Sequence, residues 1–108
     1  MVRTTFDFLV LLVLSEGPQH GYALTQQIAA RTDGNLTIRP GDLYRVLYRL
    51  DEAGLIEEVP DSSRPAGDER RTYYRITALG RKAARSHAEM MTAACAPLLS
   101  APKPRGTR

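Results

Sequence analysis

The pattern of apolar and polar positions over residues 39–54 predicts a helix with two dissimilar faces. At about 3.6 residues per turn, one side collects the branched apolar residues of a core stripe, which are Leu43, Val46, Leu47 and Leu50. The opposite side collects small, aromatic and basic residues, which are Gly41, Tyr44, Arg45 and Tyr48. A face that meets only solvent is normally rich in Glu, Lys and Gln, so we expect this face to contact a partner.

Two further helices are predicted upstream. A first helix covers about residues 4–15, and its apolar run over residues 6–14 indicates burial on more than one side, partly against a second subunit. A second helix covers about residues 20–31 and is followed by a short extended piece. Pro40 then opens the third helix, because its missing N–H is not needed at a first helical position. The second and third helices therefore form a helix-turn-helix pair.

Two strands and a last helix follow. Alternating β-branched and aromatic residues predict strands at residues 55–59 and 72–76, joined by a polar segment into a β-hairpin of the kind called a wing. Thr77 can cap a fourth helix that runs to about Ala96, where Pro97 is expected to end it. Its thin apolar stripe needs a second copy of the helix to pack against.

The predicted fold class is mainly α with a small β-hairpin, namely a winged helix-turn-helix with a three-helix core plus a wing, followed by one C-terminal dimerisation helix. We assign residues 1–76 to the winged domain, residues 77–97 to the dimerisation helix and residues 98–108 to a disordered basic tail. A chain of 108 residues is one small domain, which gains stability from dimerisation because of its high ratio of surface to volume.

Charge is distributed unevenly along the chain. The net charge is only +3, but residues 64–85 carry seven basic and two acidic residues, whereas residues 51–61 carry five acidic residues and no base. Such poles suit binding of a polyanion by one side of the molecule. The longest apolar run is about a third of the roughly 20 residues that a bilayer requires, so we expect a cytoplasmic protein with no membrane partner.

The residue inventory argues against catalysis and metal binding. The histidines are His20 and His87, and the chain lacks a Cys-x-x-Cys pair, a phosphate-binding glycine loop and a nucleophile elbow. Cys95 and His87 together supply at most two of the four ligands that zinc usually takes. We therefore expect no enzyme activity, no metal and no cofactor. Cys95 is interpreted as a small hydrophobic residue, and an oxidation sensor is the alternative.

DNA is the partner that best explains the exposed face of the third helix. In a helix-turn-helix pair the second helix enters the major groove, where Arg45 can pair with guanine and Tyr44 can donate to a phosphate. The expected DNA contacts are Arg39, Gly41, Tyr44, Arg45, Tyr48 and Arg49, with His20 and Tyr22 at the start of the second helix and Arg64, Arg70 and Arg71 on the wing. Asp42, in the first turn of the third helix, would repel a nearby phosphate.

Other interpretations remain open at this stage. The tyrosines could instead lie flat against the wing, or Tyr44 and Tyr48 could anchor a protein partner in a winged-helix interaction module without specific DNA binding. For the homodimer, the expected interface residues are Leu9, Leu12, Val13, Leu79, Ala83, Met90 and Ala94.

The chain resembles the PadR family of bacterial transcriptional regulators over about residues 6–85. Three segments carry the resemblance, in the order and spacing of the family: LSEGPQHGYAL at 14–24, RPGDLYRVLYRLDEAGLIEE at 39–58 and ERRTYYRITALGR at 69–81. Each segment alone is a weak signal, but the three in register are specific.

The resemblance implies a winged-helix repressor that dimerises through its C-terminal helix and binds a palindromic operator of double-stranded DNA. It also implies release by a small effector, often a phenolic acid or a flat hydrophobic drug held between subunits. The single C-terminal helix is similar to the shorter branch of the family. Two departures limit the transfer: Asp42 replaces the usual Thr or Ser, and the chain has no tryptophan to stack on a drug.

Overall fold

The computed structural model describes residues 2–63 and 71–100. Its elements in chain order are α1 (Thr5–Leu14), β1 (Gln19–His20), α2 (Gly21–Arg31), α3 (Pro40–Glu52), β2 (Ile56–Glu58), a 3-10 turn (Asp61–Ser63), β3 (Tyr73–Ile76) and α4 (Ala78–Ser100). The predicted winged helix-turn-helix followed by one C-terminal helix is confirmed.

Local chemistry sets the helix ends, and the predicted cap at Thr77 is present. Thr4 caps α1, since its hydroxyl accepts a hydrogen bond from the Asp7 N–H at 3.1 Å. Gly54 ends α3 with φ of 76°, a left-handed conformation that glycine adopts without strain. Thr77 caps α4 by accepting from the Gly80 N–H at 3.0 Å, and its own hydroxyl donates to the Gly54 carbonyl at 2.6 Å. The end of α3 is thereby tied to the start of α4.

The hydrophobic core lies where α1, α2, α3 and the sheet meet. Its α3 contribution is the predicted stripe, Leu43, Val46, Leu47 and Leu50. The core also contains Leu9 and Val13 of α1, which are only 8% and 1% exposed. The prediction that these two side chains contact a second subunit is therefore wrong, because α2, α3, α4 and β3 of the same chain already enclose α1.

The sheet has one more strand than predicted. Its order is β1–β3–β2, and both pairings are antiparallel, so β3 lies in the middle. On the wing side Glu57 lies opposite Arg75, and the Arg75 Nε donates to the Glu57 carboxylate at 2.8 Å. The missing strand is β1, which brings the residues just before α2 alongside the base of the wing.

The helix α4 is long and mostly exposed. Its one buried residue is Gly80, where any Cβ would collide with the Leu55 carbonyl oxygen and lie 2.8 Å from the Ile76 side chain. The prediction that Pro97 ends this helix is wrong, since α4 continues to Ser100. A proline removes one backbone hydrogen bond, and the Ser100 hydroxyl donates to the Ala96 carbonyl at 2.8 Å across that last turn. None of the helices in residues 2–63 and 71–100 has both the length and the apolar character needed to cross a membrane.

Candidate nucleic-acid interface

The face of α3 opposite the core is open. Tyr44 and Tyr48 are 55% and 69% exposed, and the side chain of Arg45 is 81% exposed. Aromatic rings of this size are usually at least partly covered, so their exposure on a helix with a well-buried opposite side marks a contact surface. We call Gly41, Tyr44, Arg45 and Tyr48 the outer face of α3.

The N-terminus of α3 carries no side-chain cap. Its N-cap residue is Arg39, which makes no capping hydrogen bond, and Asp42 lies in the first turn without capping it. Asp42 instead lies 3.5 Å from the Arg45 guanidinium, in an exposed pair of the kind that contributes little to stability. At Gly41 nothing lies within 4 Å of the place a Cβ would occupy, so a partner can approach the backbone closely. The uncapped N–H groups of this helix end favour an anion, whereas the Asp42 carboxylate in the same turn opposes one.

The first turn of α2 lies against Tyr44 on the outer face of α3. A Cβ on Gly21 would lie 3.0 Å from the Tyr44 hydroxyl, so the glycine allows Tyr44 to lie over the first turn of α2. His20 caps α2 by accepting from the Ala23 N–H at Nδ1, at 3.2 Å. Tyr22 is 63% exposed. In the sequence His-Gly-Tyr, the histidine therefore caps α2, the glycine lets Tyr44 approach the helix backbone, and the tyrosine adds another exposed phenol.

A cleft of about 320 Å³ lies between the start of α2, α3 and β3. Its lining residues are His20, Gly21, Tyr22, Tyr44, Arg71, Thr72 and Tyr74. The Arg71 Nη1 lies 2.7 Å from the His20 Nε2, which places the base of the wing beside the residue that caps α2. Burial raises the pKa of the Tyr74 phenol, and the nearby Glu58 carboxylate raises it further, so Tyr74 stays a neutral hydrogen-bonding group.

The structure places several of the expected DNA contacts in two different clefts. Tyr22, Tyr44 and Arg71 share the cleft beside α2, and Arg39 and Arg45 border a second cleft of about 470 Å³ near the start of α1. Arg64 and Arg70 lie outside the described residues. Whether any of these groups touches DNA stays a prediction.

Arg49 does not belong to the outer face. Its guanidinium donates to the carboxylate of Asp7, a residue that is 0% exposed, and two thirds of its side chain is buried. The structure thus corrects the expectation that Arg49 is available to DNA: its charge is already neutralised by a buried partner on α1. Helical spacing does not indicate this pair, because Asp7 and Arg49 lie on different helices and 42 residues apart in the chain.

A second exposed surface follows α4. Of the residues expected at the dimer interface, Leu79 and Met90 are 55% and 53% exposed, Ala94 is exposed, and Leu12 and Ala83 are half-buried. Apolar side chains exposed in a row on one helix favour a dry contact with another protein surface. Cys95 on the same helix is half-buried and free. Within the described residues no three His, Cys, Asp or Glu side chains are grouped so as to hold a metal ion.

Comparison with known protein families assigns the chain to one of them. The Transcriptional regulator PadR-like family matches residues 10–86. An uncharacterized protein of Lysinibacillus sphaericus is 33% identical over 81 residues, which cover 75% of this chain and 72% of that protein.

Solved structures show the same fold. A transcriptional regulator from Clostridium thermocellum, Cth-833, is 30% identical with a TM-score of 0.73, and the match covers 90% of this chain and 92% of that one. The transcriptional regulator BldR from Sulfolobus solfataricus reaches a TM-score of 0.72 at 22% identity, over 94% of this chain and 65% of that one, which is a likeness of fold alone.

Proposed function

Since the chain belongs to the PadR-like family of transcriptional regulators, we propose that it is a repressor that binds a palindromic operator as a homodimer and is released by a small effector. Family membership places it among DNA-binding regulators and not among enzymes. A regulator works where the chromosome is, so the proposal puts the protein in the cytoplasm.

The observation that carries the proposal is the outer face of α3. Its phenols and guanidinium are exposed on the second helix of a helix-turn-helix pair, the helix that enters the major groove, and Tyr44 and Arg45 lie in its N-terminal half. Arg45 is placed to pair with guanine, and Tyr44 and Tyr48 to donate to phosphates. The opposite side of α3 packs in the core, which holds the helix on the domain and leaves these groups exposed.

Dimerisation is supported by the exposed stripe of α4. On a 3.6-residue period Leu79, Ala83, Met90 and Ala94 lie on one side of the helix, and a copy of the same helix would cover them. A two-fold dimer presents two copies of α3 about one turn of DNA apart, which is why a palindromic operator is expected.

A cleft of about 490 Å³ between the end of α3 and α4 is the place proposed for an effector. Its volume lies within the roughly 300–1,000 Å³ of small-molecule sites. Leu55, Leu79 and Met90 supply apolar lining, and Lys82 and His87 supply polar groups. An aromatic acid fits this chemistry, with its ring on the apolar side and its carboxylate at Lys82. Such a ligand would contact Leu79, Ala83 and Met90 of the proposed dimer stripe, so its binding would compete with the partner helix and change how the subunits are arranged.

The test is fluorescence-anisotropy binding to the DNA upstream of the protein's own gene and to a scrambled sequence, over a salt series. We expect tighter binding to the upstream DNA and a steep fall of affinity with salt, because phosphate contacts release counterions. Equal binding to both DNAs would refute an operator there. If the protein bound neither DNA but bound a protein partner with an affinity that changed little with salt, the alternative of a protein-interaction module would be favoured. Addition of a phenolic acid to the complex then tests effector release.

A further inference from the structure

Asp7 is the one charged residue that is buried in the described part of the chain. Its carboxylate accepts from the Arg3 N–H at 3.0 Å, from the Thr4 hydroxyl at 3.1 Å and from the Arg49 guanidinium. Two of these donors belong to the turn that starts α1, so they fix where the carboxylate points. The third donor comes from α3, 42 residues along the chain.

This ion pair is not explained by stability alone. Burying the Asp7 carboxylate and two thirds of the Arg49 side chain removes charge from water at a cost, and a well-packed apolar pair of the same volume is often as stable or more stable. Arg49 also leaves its Nε buried, with no hydrogen-bond partner in the residues that the structure describes. The contact is better explained by its geometry. A hydrogen-bonded ion pair requires one orientation of α3 relative to α1, whereas apolar packing between the two helices is not directional.

The position of Arg49 on α3 links the ion pair to the rotation of that helix about its axis. Arg49 is four residues after Arg45, which is four residues after Gly41, so all three lie in one row along the helix. Rotation of α3 about its axis by about 20° would move side-chain tips at a radius of about 6 Å by about 2 Å. A shift of that size breaks a hydrogen bond to a base edge.

We propose that Asp7 is a positioning residue for DNA recognition: through Arg49 it fixes the rotation of α3, and so the direction in which Arg45 and Tyr48 point. The first turn of α1, which packs against α3 but lies outside the helix-turn-helix pair in the chain, thereby sets the specificity of the DNA-facing helix. This inference rests on the proposed function, since it concerns how that function discriminates between DNA sequences.

The experiment compares Asp7→Asn, Arg49→Lys and Arg49→Met with the wild type, each below its melting temperature. Anisotropy gives the ratio of affinities for the upstream and the scrambled DNA. We expect this ratio to fall by about tenfold in Asp7→Asn and in Arg49→Met, as for the loss of one base contact, with little change for scrambled DNA. Arg49→Lys keeps the charge but not the reach of the guanidinium, so its affinity ratio should lie between the ratio of the other two variants and that of the wild type.

Arg31→Met is the matched control. Arg31 also pairs with a carboxylate of the α1 region, Glu16, but that pair is exposed and does not involve α3. It should leave the affinity ratio unchanged. A merely structural role for Asp7 would lower the melting temperature and keep the ratio. If Arg49 itself bound a phosphate, Asp7→Asn would strengthen binding to both DNAs while Arg49→Met weakened it. Either result would overturn the proposal.

A second readout separates this inference from the proposed function. In amide NMR spectra of the free protein, Asp7→Asn should shift resonances along the outer face of α3. Shifts confined to the direct neighbours of Asp7, which are Arg3, Thr4 and Arg49, would mean that α3 keeps its rotation, and the positioning role would be wrong. If the wild type shows no preference for its upstream DNA, the proposed function fails, and the spectra still decide whether Asp7 orients α3.

Discussion

The helices α3 and α4 both expose large apolar side chains, but of different chemistry. On α3 they are tyrosines, each with a hydroxyl, and they flank an arginine. On α4 they are Leu79, Met90, Met91, Leu98 and Leu99, which have no hydrogen-bonding group. A phenol suits a partner that stays wet and offers acceptors, such as DNA, whereas Leu and Met suit a dry contact with protein.

The two helices also differ in how they are held. The core stripe of α3 has four buried residues, while the one buried residue of α4 is Gly80. The outer face of α3 is therefore supported without a partner, whereas most of α4 extends from the domain with little packing of its own. Under the proposed function, DNA recognition falls to the helix that the domain itself holds, and assembly falls to the helix that needs a partner. It can be tested from both sides.

The largest effect is expected where α3 is anchored. Leu47→Ala should lower the free energy of unfolding by about 2–5 kcal/mol, because the side chain is 1% exposed and its loss leaves a cavity. Thermal or urea unfolding measures this. Tyr48→Ala, on the next residue, is the control and should stay within about 0.5 kcal/mol of the wild type, since an exposed side chain loses little packing. A similar cost for both would contradict the two-faced arrangement of α3.

The stripe of α4 should respond differently, in assembly rather than in folding. Met90→Lys places a charge on the proposed dry interface and should weaken the dimer by about 2 kcal/mol or more, as for a central interface residue. Sedimentation over a concentration series measures this. Thr92→Lys adds the same charge two residues away, on the opposite side of the helix, and should leave the dimer intact. Equal weakening by both would mean that the stripe is not the interface.

Arg45→Ala sharpens the comparison on the α3 side. Upstream-DNA binding should weaken by about 1–3 kcal/mol and the preference at one base pair should relax, if the guanidinium reads guanine. Anisotropy with single-base variants of the operator measures both. The melting temperature should not change, because the only ion pair of Arg45 in the described residues is the exposed one with Asp42. Equal weakening on every sequence would reassign Arg45 to a phosphate.

The sequence predicted the elements whose signals are local. The two faces of α3 follow from helical periodicity, and its end at Gly54 and the cap of α4 at Thr77 follow from the chemistry of single residues. The strand β1 was missed because two residues are too short to show alternation, and its pairing with β3 depends on contacts more than 50 residues away. The end of α4 was misplaced because Pro97 removes only one hydrogen bond and the helix tolerates that loss.

The site was predicted less completely than the fold. Helical spacing identified the outer face of α3, but Arg49 adjoins that face and spacing alone could not distinguish a DNA contact from an internal ion pair. One available signal was Asp7, a carboxylate at the start of an otherwise apolar run, since a buried charge requires a cationic partner. Which of the many arginines serves that carboxylate is set by tertiary packing, which the sequence pattern does not specify.

The smallest effect is expected at the border between α3 and the wing. Burial raises the pKa of Tyr74 above its ordinary value of about 10, so above that pH the folded chain binds more protons than the unfolded chain. The stability that depends on the neutral phenol is therefore complete below about pH 10 and is lost as the pH rises towards the folded-state pKa. Tyr74→Phe should reduce this alkaline loss, as measured by melting temperature between about pH 8 and 11. Tyr48→Phe, which alters a ring that folding barely buries, should keep the wild-type profile, and the same profile in both variants would mean that Tyr74 is not the group responsible.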